Sequence, residues 1–212
     1  MKYKWLNRIN NSKLIVFFNG WAMNESVIQN LNCDDFDILM INDYRDFNFN
    51  FSQFIFEKYK EKYLVCWSMG VYTASLFKNI FDSFTKKIAI NGTSKIIDDN
   101  FGIPDRIFNL TVKNLSDAGV KKFINNMFNE KNKIQNLKIE NSIDELKDEL
   151  ISIKNLKISD FIHFDKAFIS LEDKIVPAKN QLNFWDKKAK TVKLQSTHCP
   201  FSEFYSWADL LC

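Results

Sequence analysis

The feature that most constrains the fold is a series of short apolar runs separated by stretches with helical spacing. Four such runs occupy the first half of the chain: Lys13–Asn19, Asp37–Asn42, Lys62–Trp67 and Lys86–Asn91. Continuous runs of β-branched, aliphatic and aromatic residues are typical of parallel strands buried on both faces. Between them, residues 25–31 and 70–81 carry Val, Leu, Ile and Phe at helical spacing. This alternation predicts right-handed βαβ units and an α/β fold with a mostly parallel central sheet.

The middle of the chain interrupts this alternation. Between Phe108 and Phe128, apolar residues recur at helical spacing among Lys and Asn. Ser142 stands three residues before Glu145, which is the signature of a capping box at a helix start. We therefore predict that residues 99–160 are helical and form an insertion.

Strand character returns after the insertion. Runs at Lys166–Leu171 and Thr191–Leu194 flank a segment with helical spacing at Ala178–Trp185. The expected organisation is an α/β core formed by residues 1–98 and 161–212, with a helical cap over 99–160.

Composition excludes several classes of protein. The 212 residues are 46% hydrophobic, which is ample for a folded core, and the formal net charge of +3 gives no support for nucleic-acid binding. No apolar run approaches a membrane span, and the first 13 residues lack the apolar segment of a signal peptide. We expect a cytoplasmic monomer. The four cysteines show no CxxC spacing and no clustered His, so we expect reduced thiols, no metal site and no cofactor.

The sharpest motif joins the third strong run to the following helix. The run ends at Trp67 and leads directly into Ser68, Met69 and Gly70. A strand, a serine and a helix in this order are the setting of a nucleophile elbow, whose usual pattern is G-x-S-x-G. Cys66 replaces the first glycine, and its side chain is small enough for the turn. The alternative is that Ser68 only caps the helix.

A serine nucleophile needs a histidine base and a carboxylate that orients the base. His198 follows the last predicted strand, whereas His163 lies among aromatic residues before a strand and fits a packing role better. Asp173 follows the run that ends at Leu171, which gives the chain order Ser, Asp, His of the α/β-hydrolases. Glu172 is the competing carboxylate, and a solvated loop charge is the alternative for both.

An oxyanion hole combines two backbone N–H groups, one of them from the residue after the nucleophile. That residue is Met69. The second donor is predicted to be Trp21, in the loop that follows the first strong run. The alternative for this loop is an ordinary turn at Asn19-Gly20.

Four segments together resemble one family. FFNGWAMN, CWSMGVYTA, LEDKIVPAKNQ and STHCPF are similar to the BioG-type pimeloyl-ACP methyl ester esterases of biotin synthesis, within the α/β-hydrolase superfamily. The likeness covers about residues 13–95 and 166–205. In that family NGW forms the oxyanion loop, W-S-M-G carries the nucleophile, D-x-I-V-P the acid and H-x-P-F the base. The BioH-type esterases have His-Gly at Asn19-Gly20 and glycine at Cys66, so both positions favour BioG.

The resemblance implies the reaction and the partner. The substrate would be a pimeloyl chain carried as a thioester on acyl carrier protein (ACP) and capped by a methyl ester, which Ser68 would attack through an acyl-enzyme. Acyl carrier proteins are acidic, so the expected docking residues are basic ones in the insertion: Arg106, Lys113, Lys121 and Lys122. The expected pocket residues are Trp67, Phe123 and Met127. The alternatives are a solvated helix face for the charges and ordinary core packing for the apolar stripe.

Two other functions remain open at this level. The same triad would serve a general short-chain carboxylesterase or an acyl thioesterase, because a triad handles any acyl transfer. A catalytically silent α/β-hydrolase-like binding protein is the third reading, and the intact Ser68, Asp173 and His198 count against it.

Overall fold

A computed structural model describes residues 1–33, 35–129, 134, 137 and 139–212. Its centre is a seven-stranded sheet in the order β1-β3-β2-β4-β5-β6-β7. Every neighbouring pair is parallel except β1 and β3. The strands are β1 (Lys2–Asn7), β2 (Lys13–Phe18), β3 (Asp37–Asn42), β4 (Glu61–Trp67), β5 (Lys86–Ile90), β6 (Lys166–Ser170) and β7 (Lys190–Leu194).

The six predicted runs coincide with β2 to β7, which confirms the α/β class and the mostly parallel sheet. Strand β1 has no counterpart among the predictions. It lies at the edge of the sheet, and its first three residues are exposed, so its sequence KYKWLN lacks a continuous apolar run.

The structure forms helices around this sheet, and α3, α4 and α5 all lie between β5 and β6. The helices are α1 (Met69–Thr73), α2 (Lys78–Phe81), α3 (Asp105–Lys113), α4 (Asp117–Met127), α5 (Ile143–Asn155), α6 (Ala178–Trp185) and α7 (Trp207–Leu211). Helix α6 has the predicted bounds, and α5 begins with the predicted capping box of Ser142 and Glu145. The division into a core and a cap at residues 99–160 stays a prediction.

Two predicted helices take a different form. The segment 25–31 contains only a short 3₁₀ helix, Glu25–Ile28, which Asn24 caps through its side chain. The segment 70–81 is divided into α1, a 3₁₀ turn at Ala74–Phe77, and α2. Both segments are helical in part, as the apolar spacing predicts, but the 3₁₀ stretches at Glu25–Ile28 and Ala74–Phe77 replace a continuous α-helix.

The core lies on both faces of the sheet, because successive side chains of a strand point to opposite faces. On β2, Leu14, Val16 and Phe18 enter one layer, while Ile15 and Phe17 enter the other, and all five are fully buried. Aromatic rings fill much of the first layer. In the described part of the chain, no helix is long and apolar enough to cross a membrane.

Candidate active site

Ser68 lies at the sharp turn between β4 and α1. Its φ of 56° and ψ of −121° are a strained conformation for a residue with a side chain. Two glycines allow the close packing around this turn, one in α1 and one after β5. A Cβ on Gly70 would lie 2.5 Å from the Phe18 carbonyl oxygen, and a Cβ on Gly92 would lie 2.3 Å from that of Ser68. The Ser68 side chain makes no capping hydrogen bond to α1, so it does not serve as the helix cap.

His198 lies in the loop after β7, with its imidazole directed at Ser68. The distance from His198 Nε2 to Ser68 Oγ is 2.9 Å. Two side chains hold the backbone of this loop: Trp67 Nε1 donates to the His198 carbonyl at 2.8 Å, and Asn91 Nδ2 donates to it at 2.9 Å. These two hydrogen bonds fix the main chain of His198 and so the position of its imidazole. The residue is buried, with 1% of its surface exposed.

Asp173 follows β6 and completes the chain of side chains. Its Oδ2 lies 2.8 Å from His198 Nδ1 and also accepts a hydrogen bond from Gln181 Nε2 at 3.0 Å. Its Oδ1 accepts from the backbone N–H groups of Ile175 and Val176 at 2.8 and 2.9 Å. A carboxylate only accepts, so His198 Nδ1 carries the proton and Nε2 is free to accept from the Ser68 hydroxyl.

The competing residues of the sequence analysis lie away from this arrangement. His163 is exposed in the segment before β6. Glu172 is exposed, and its carboxylate accepts a hydrogen bond from Gln195 at 2.7 Å rather than from an imidazole. The structure thus brings together the three predicted side chains, Ser68, Asp173 and His198.

The loop after β2 is more than a turn. Asn19 is fully buried, accepts from the Gly20 N–H at 2.9 Å, and donates to the carbonyls of Met23 and Asn24. This side chain closes residues 19–24 into a compact loop. Trp21 in this loop and Met69 at the start of α1 both line one cavity, so the structure brings the two predicted oxyanion residues to the same cavity.

That cavity has a volume of about 420 Å³ and lies beneath helices α3, α4 and α5. Its walls are mainly apolar, with Phe108, Leu115, Phe123 and Leu150 among them. Lys122 and Lys174 also line it and supply positive charge. An apolar cavity with a few polar groups is the usual form of a site for a small acyl group.

Two of the three predicted pocket residues do not line this cavity. Phe123 does, and its ring packs edge-on against Trp21 at 4.8 Å. Trp67 is fully buried beneath Gly20 and supports His198 from behind, and Met127 is buried with its carbonyl bonded to Thr197. The predicted docking residues are exposed on two helices: Arg106 and Lys113 on α3, and Lys121 and Lys122 on α4.

The cysteines beside the triad are buried free thiols. Burial raises the pKa of Cys66 well above its usual value, and it raises that of Cys199 to about 12. Both are therefore protonated and poor nucleophiles near neutral pH. Among the described residues, no group of three or more His, Cys, Asp or Glu side chains is arranged to hold a metal ion.

A second cavity, of about 610 Å³, lies beyond the carboxyl end of α5. Tyr72, Asp98, Lys154 and Lys157 are among its lining residues. Ser68, Asp173 and His198 line neither cavity, but the 420 Å³ cavity is lined by Met69 and Lys174, the chain neighbours of Ser68 and Asp173, so it is the candidate site.

The order of Ser68, Asp173 and His198 after β4, β6 and β7, on a mostly parallel sheet, defines an α/β-hydrolase. An esterase from Exiguobacterium antarcticum shares this fold, with a TM-score of 0.67 at 15% identity over 95% of this chain and 89% of that one. The family described as pimeloyl-ACP methyl esterase BioG matches residues 1–210, and the chain belongs to that family.

Two relatives extend this result. The crystal structure of BioG from Haemophilus influenzae superposes with a TM-score of 0.86 at 30% identity, covering 99% of both chains. A malonyl-[acyl-carrier protein] O-methyltransferase from Bacteroides fragilis is 34% identical over 189 residues, which are 84% of this chain and 38% of that protein. Membership of the BioG family supports a carboxylic ester hydrolase.

Two polar residues at the site were not identified from the sequence. Gln181 on α6 donates to Asp173, and Asn91 holds the His198 loop from a positive φ of 44°. The Asn-Gly pair after β5 signals a special backbone position at Asn91, but not its hydrogen bonds. Nothing in the pattern of α6 distinguishes Gln181 from an ordinary helix residue.

Proposed function

We propose that this protein is a serine esterase that converts pimeloyl-ACP methyl ester into pimeloyl-ACP and methanol. The observation that carries the proposal is the linked set of Ser68, His198 and Asp173 beside an apolar cavity, in a chain of the BioG family. We further propose that residues 99–160 act as the cap over this cavity, and that one chain supplies the whole site.

The first half of the reaction forms an acyl-enzyme. Ser68 Oγ attacks the ester carbonyl carbon while its proton passes to His198 Nε2. The carbonyl oxygen becomes an oxyanion, which the backbone N–H groups of Trp21 and Met69 stabilise. The tetrahedral intermediate then collapses: the bond to the methoxy oxygen breaks, and His198 returns the proton so that methanol leaves.

The second half releases the acid. His198 takes a proton from water, the hydroxide attacks the acyl carbon, and the bond to Ser68 Oγ breaks as Oγ recovers a proton from the imidazolium. Asp173 stabilises the imidazolium in both halves, and its four hydrogen bonds keep it in place. Over both halves, the ester and one water molecule give the acid and methanol.

The cavity and the exposed cations would select the substrate. Apolar walls suit a chain of methylene groups, while Lys122 and Lys174 lie where a negative carrier would approach. Arg106, Lys113 and Lys121 extend positive charge along α3 and α4, and we propose these helices as the docking face for the acidic carrier.

A paired assay tests the function. Wild type, Ser68→Ala and the control Ser83→Ala, at an exposed position after α2, are assayed on pimeloyl-ACP methyl ester and on p-nitrophenyl butyrate. We expect Ser68→Ala to lower kcat by on the order of 10⁴–10⁶, with Ser83→Ala unchanged and the ACP ester strongly preferred. Cleavage of the small ester alone would indicate a general esterase, and no turnover of either would indicate a binding protein.

A further inference from the structure

Glu149 is a buried acid on the inner face of α5 that the proposed chemistry does not use. It is 1% exposed, on the helix face that also carries Leu146, Leu150 and Ile153. Burying an ionised carboxylate in apolar surroundings destabilises the fold unless the carboxylate is hydrogen-bonded. Burial accordingly raises its pKa to about 7.

The contacts of Glu149 are with the two loops at the carboxyl ends of β2 and β3. Its Oε1 accepts from the Tyr44 backbone N–H at 3.0 Å, and Glu149 and Ala22 line one small cavity, so the carboxyl lies close to the Ala22 backbone. Ala22 has a φ of 65°, in the left-handed region that residues with a side chain rarely adopt. A strained backbone of this kind persists only where surrounding contacts determine it.

Helix α5 also makes a hydrogen bond to the loop that follows β2. Trp21 Nε1 donates to the Leu146 carbonyl at 3.0 Å, one helical turn before Glu149. Tyr44, whose N–H meets Glu149, donates its hydroxyl to the Asn19 carbonyl at 2.6 Å at the start of the loop. The side chain of Trp21 is thus held by α5, and the peptide that follows it lies close to Glu149.

We propose that Glu149 is a positioning residue for ester hydrolysis, holding the Trp21–Ala22 backbone so that the Trp21 N–H faces the oxyanion. This inference rests on the proposed function. The ionised carboxylate presents acceptors alone to the Tyr44 N–H and to the Ala22 backbone beside it, since protonation turns one oxygen into a donor.

Charged groups from several elements surround Glu149. The negative charge of Asp43, after β3, raises the pKa of Glu149, and the positive charge of Arg45 lowers it. The amino group of Met1 also interacts electrostatically with Glu149. Glu140 lines the same small cavity before α5. The net result keeps the carboxyl near its titration point at neutral pH, so activity gains from ionisation as the pH rises through 7.

Stability responds in the opposite sense. The pKa of Glu149 in the folded protein is above its ordinary value of 4.5, so the folded state binds the proton more tightly than the unfolded chain. Ionisation therefore costs stability as the pH rises from 4.5 through 7. Replacing Glu149 by the neutral Gln is therefore expected to stabilise the fold at pH 8.5 and to fix the loop after β2 less firmly.

The test compares wild type, Glu149→Gln and the control Asp148→Asn, the exposed neighbour on the same helix. For each, kcat and KM on both esters are measured from pH 6 to 9, together with Tm at pH 5.5 and 8.5. We expect Glu149→Gln to lower kcat at least tenfold at pH 8.5 with KM within twofold, to approach the kcat of wild type as the pH falls below 7, and to have a higher Tm than wild type at pH 8.5. Asp148→Asn should match wild type.

Each alternative outcome is distinguishable. An active wild type with an unimpaired Glu149→Gln variant would overturn the positioning role alone. A variant that lost kcat and Tm together at pH 8.5 would show a merely structural acid, which also overturns it. A wild type inactive on both esters would overturn the proposed function, and this inference with it.

Discussion

Asp173→Asn tests the orientation of the histidine, and the structure determines how the new amide must sit. Two backbone N–H groups, from Ile175 and Val176, donate to Oδ1, so the amide oxygen has to remain there. The amide nitrogen then takes the place of Oδ2 and presents N–H groups to His198 and Gln181. Because two donors cannot pair, His198 adopts the tautomer with its proton on Nε2, facing the Ser68 hydroxyl it should deprotonate.

The expected loss is on the order of 10⁴ in kcat, or about 5 kcal/mol of transition-state stabilisation, since the equivalent change in a serine protease has this size. KM should change little, because Asp173 is buried and does not line the cavity. The assay is ester hydrolysis by Asp173→Asn beside Glu172→Gln, its exposed neighbour, as the control. A loss below tenfold, or an equal loss in Glu172→Gln, would refute this account.

Three further predictions concern stability and docking. Gly92→Ala should lower the free energy of unfolding by about 1 to 3 kcal/mol in urea titrations, because its Cβ would lie 2.3 Å from the Ser68 carbonyl oxygen; unchanged stability would contradict the model of the turn. Burial raises the pKa of Asp43, but hydrogen bonds from Arg45 and Lys2 outweigh it and lower the value to about 2, from 3.8. Ionised Asp43 thus stabilises the fold above pH 3.8, so Asp43→Asn should cost about 1 to 2 kcal/mol at pH 7 and nothing as the pH falls through 2. Lys121→Glu, at an exposed position on α4 outside the cavity lining, should raise KM severalfold for the ACP ester and leave the p-nitrophenyl ester unaffected; an equal rise for both would argue against a docking role.

The predictability of the strands followed their position in the sheet. Central strands β2 to β5 are buried between layers on both faces, so their sequences are continuous apolar runs. Strand β1 pairs only with β3, and its Lys2, Tyr3 and Lys4 are exposed, which gives it the composition of a loop. Strand β7 lies at the other edge and is also largely exposed, but its place after the helical segment 178–185 in the strand–helix alternation predicted it, whereas no such element precedes β1.

The three linked side chains were accessible to sequence reasoning because each lies within four residues of the carboxyl end of a predicted strand. Parallel strands end at one edge of the sheet, so residues that follow them in sequence meet in space. Gln181 lies eight residues beyond Asp173 along the chain and reaches it only because α6 turns back against β6. Glu149 did carry a signal, since an acid at position 149 interrupts the apolar face shared by Leu146 and Leu150. That signal shows that something must pair with the acid, but not what.

Helix α5 explains why the cavity and the reactive groups are not independent. Leu150 lines the cavity, the Leu146 carbonyl accepts from the Trp21 indole, and Glu149 accepts from the Tyr44 N–H. Trp21 itself belongs to both sets, since it lines the cavity and contributes to the oxyanion loop. A shift of α5 to admit a different acyl group would therefore also move the loop that we propose stabilises the transition state. In such a protein substrate selection is expressed in kcat as well as in KM, because a poorly fitting acyl chain misplaces the donors that lower the barrier.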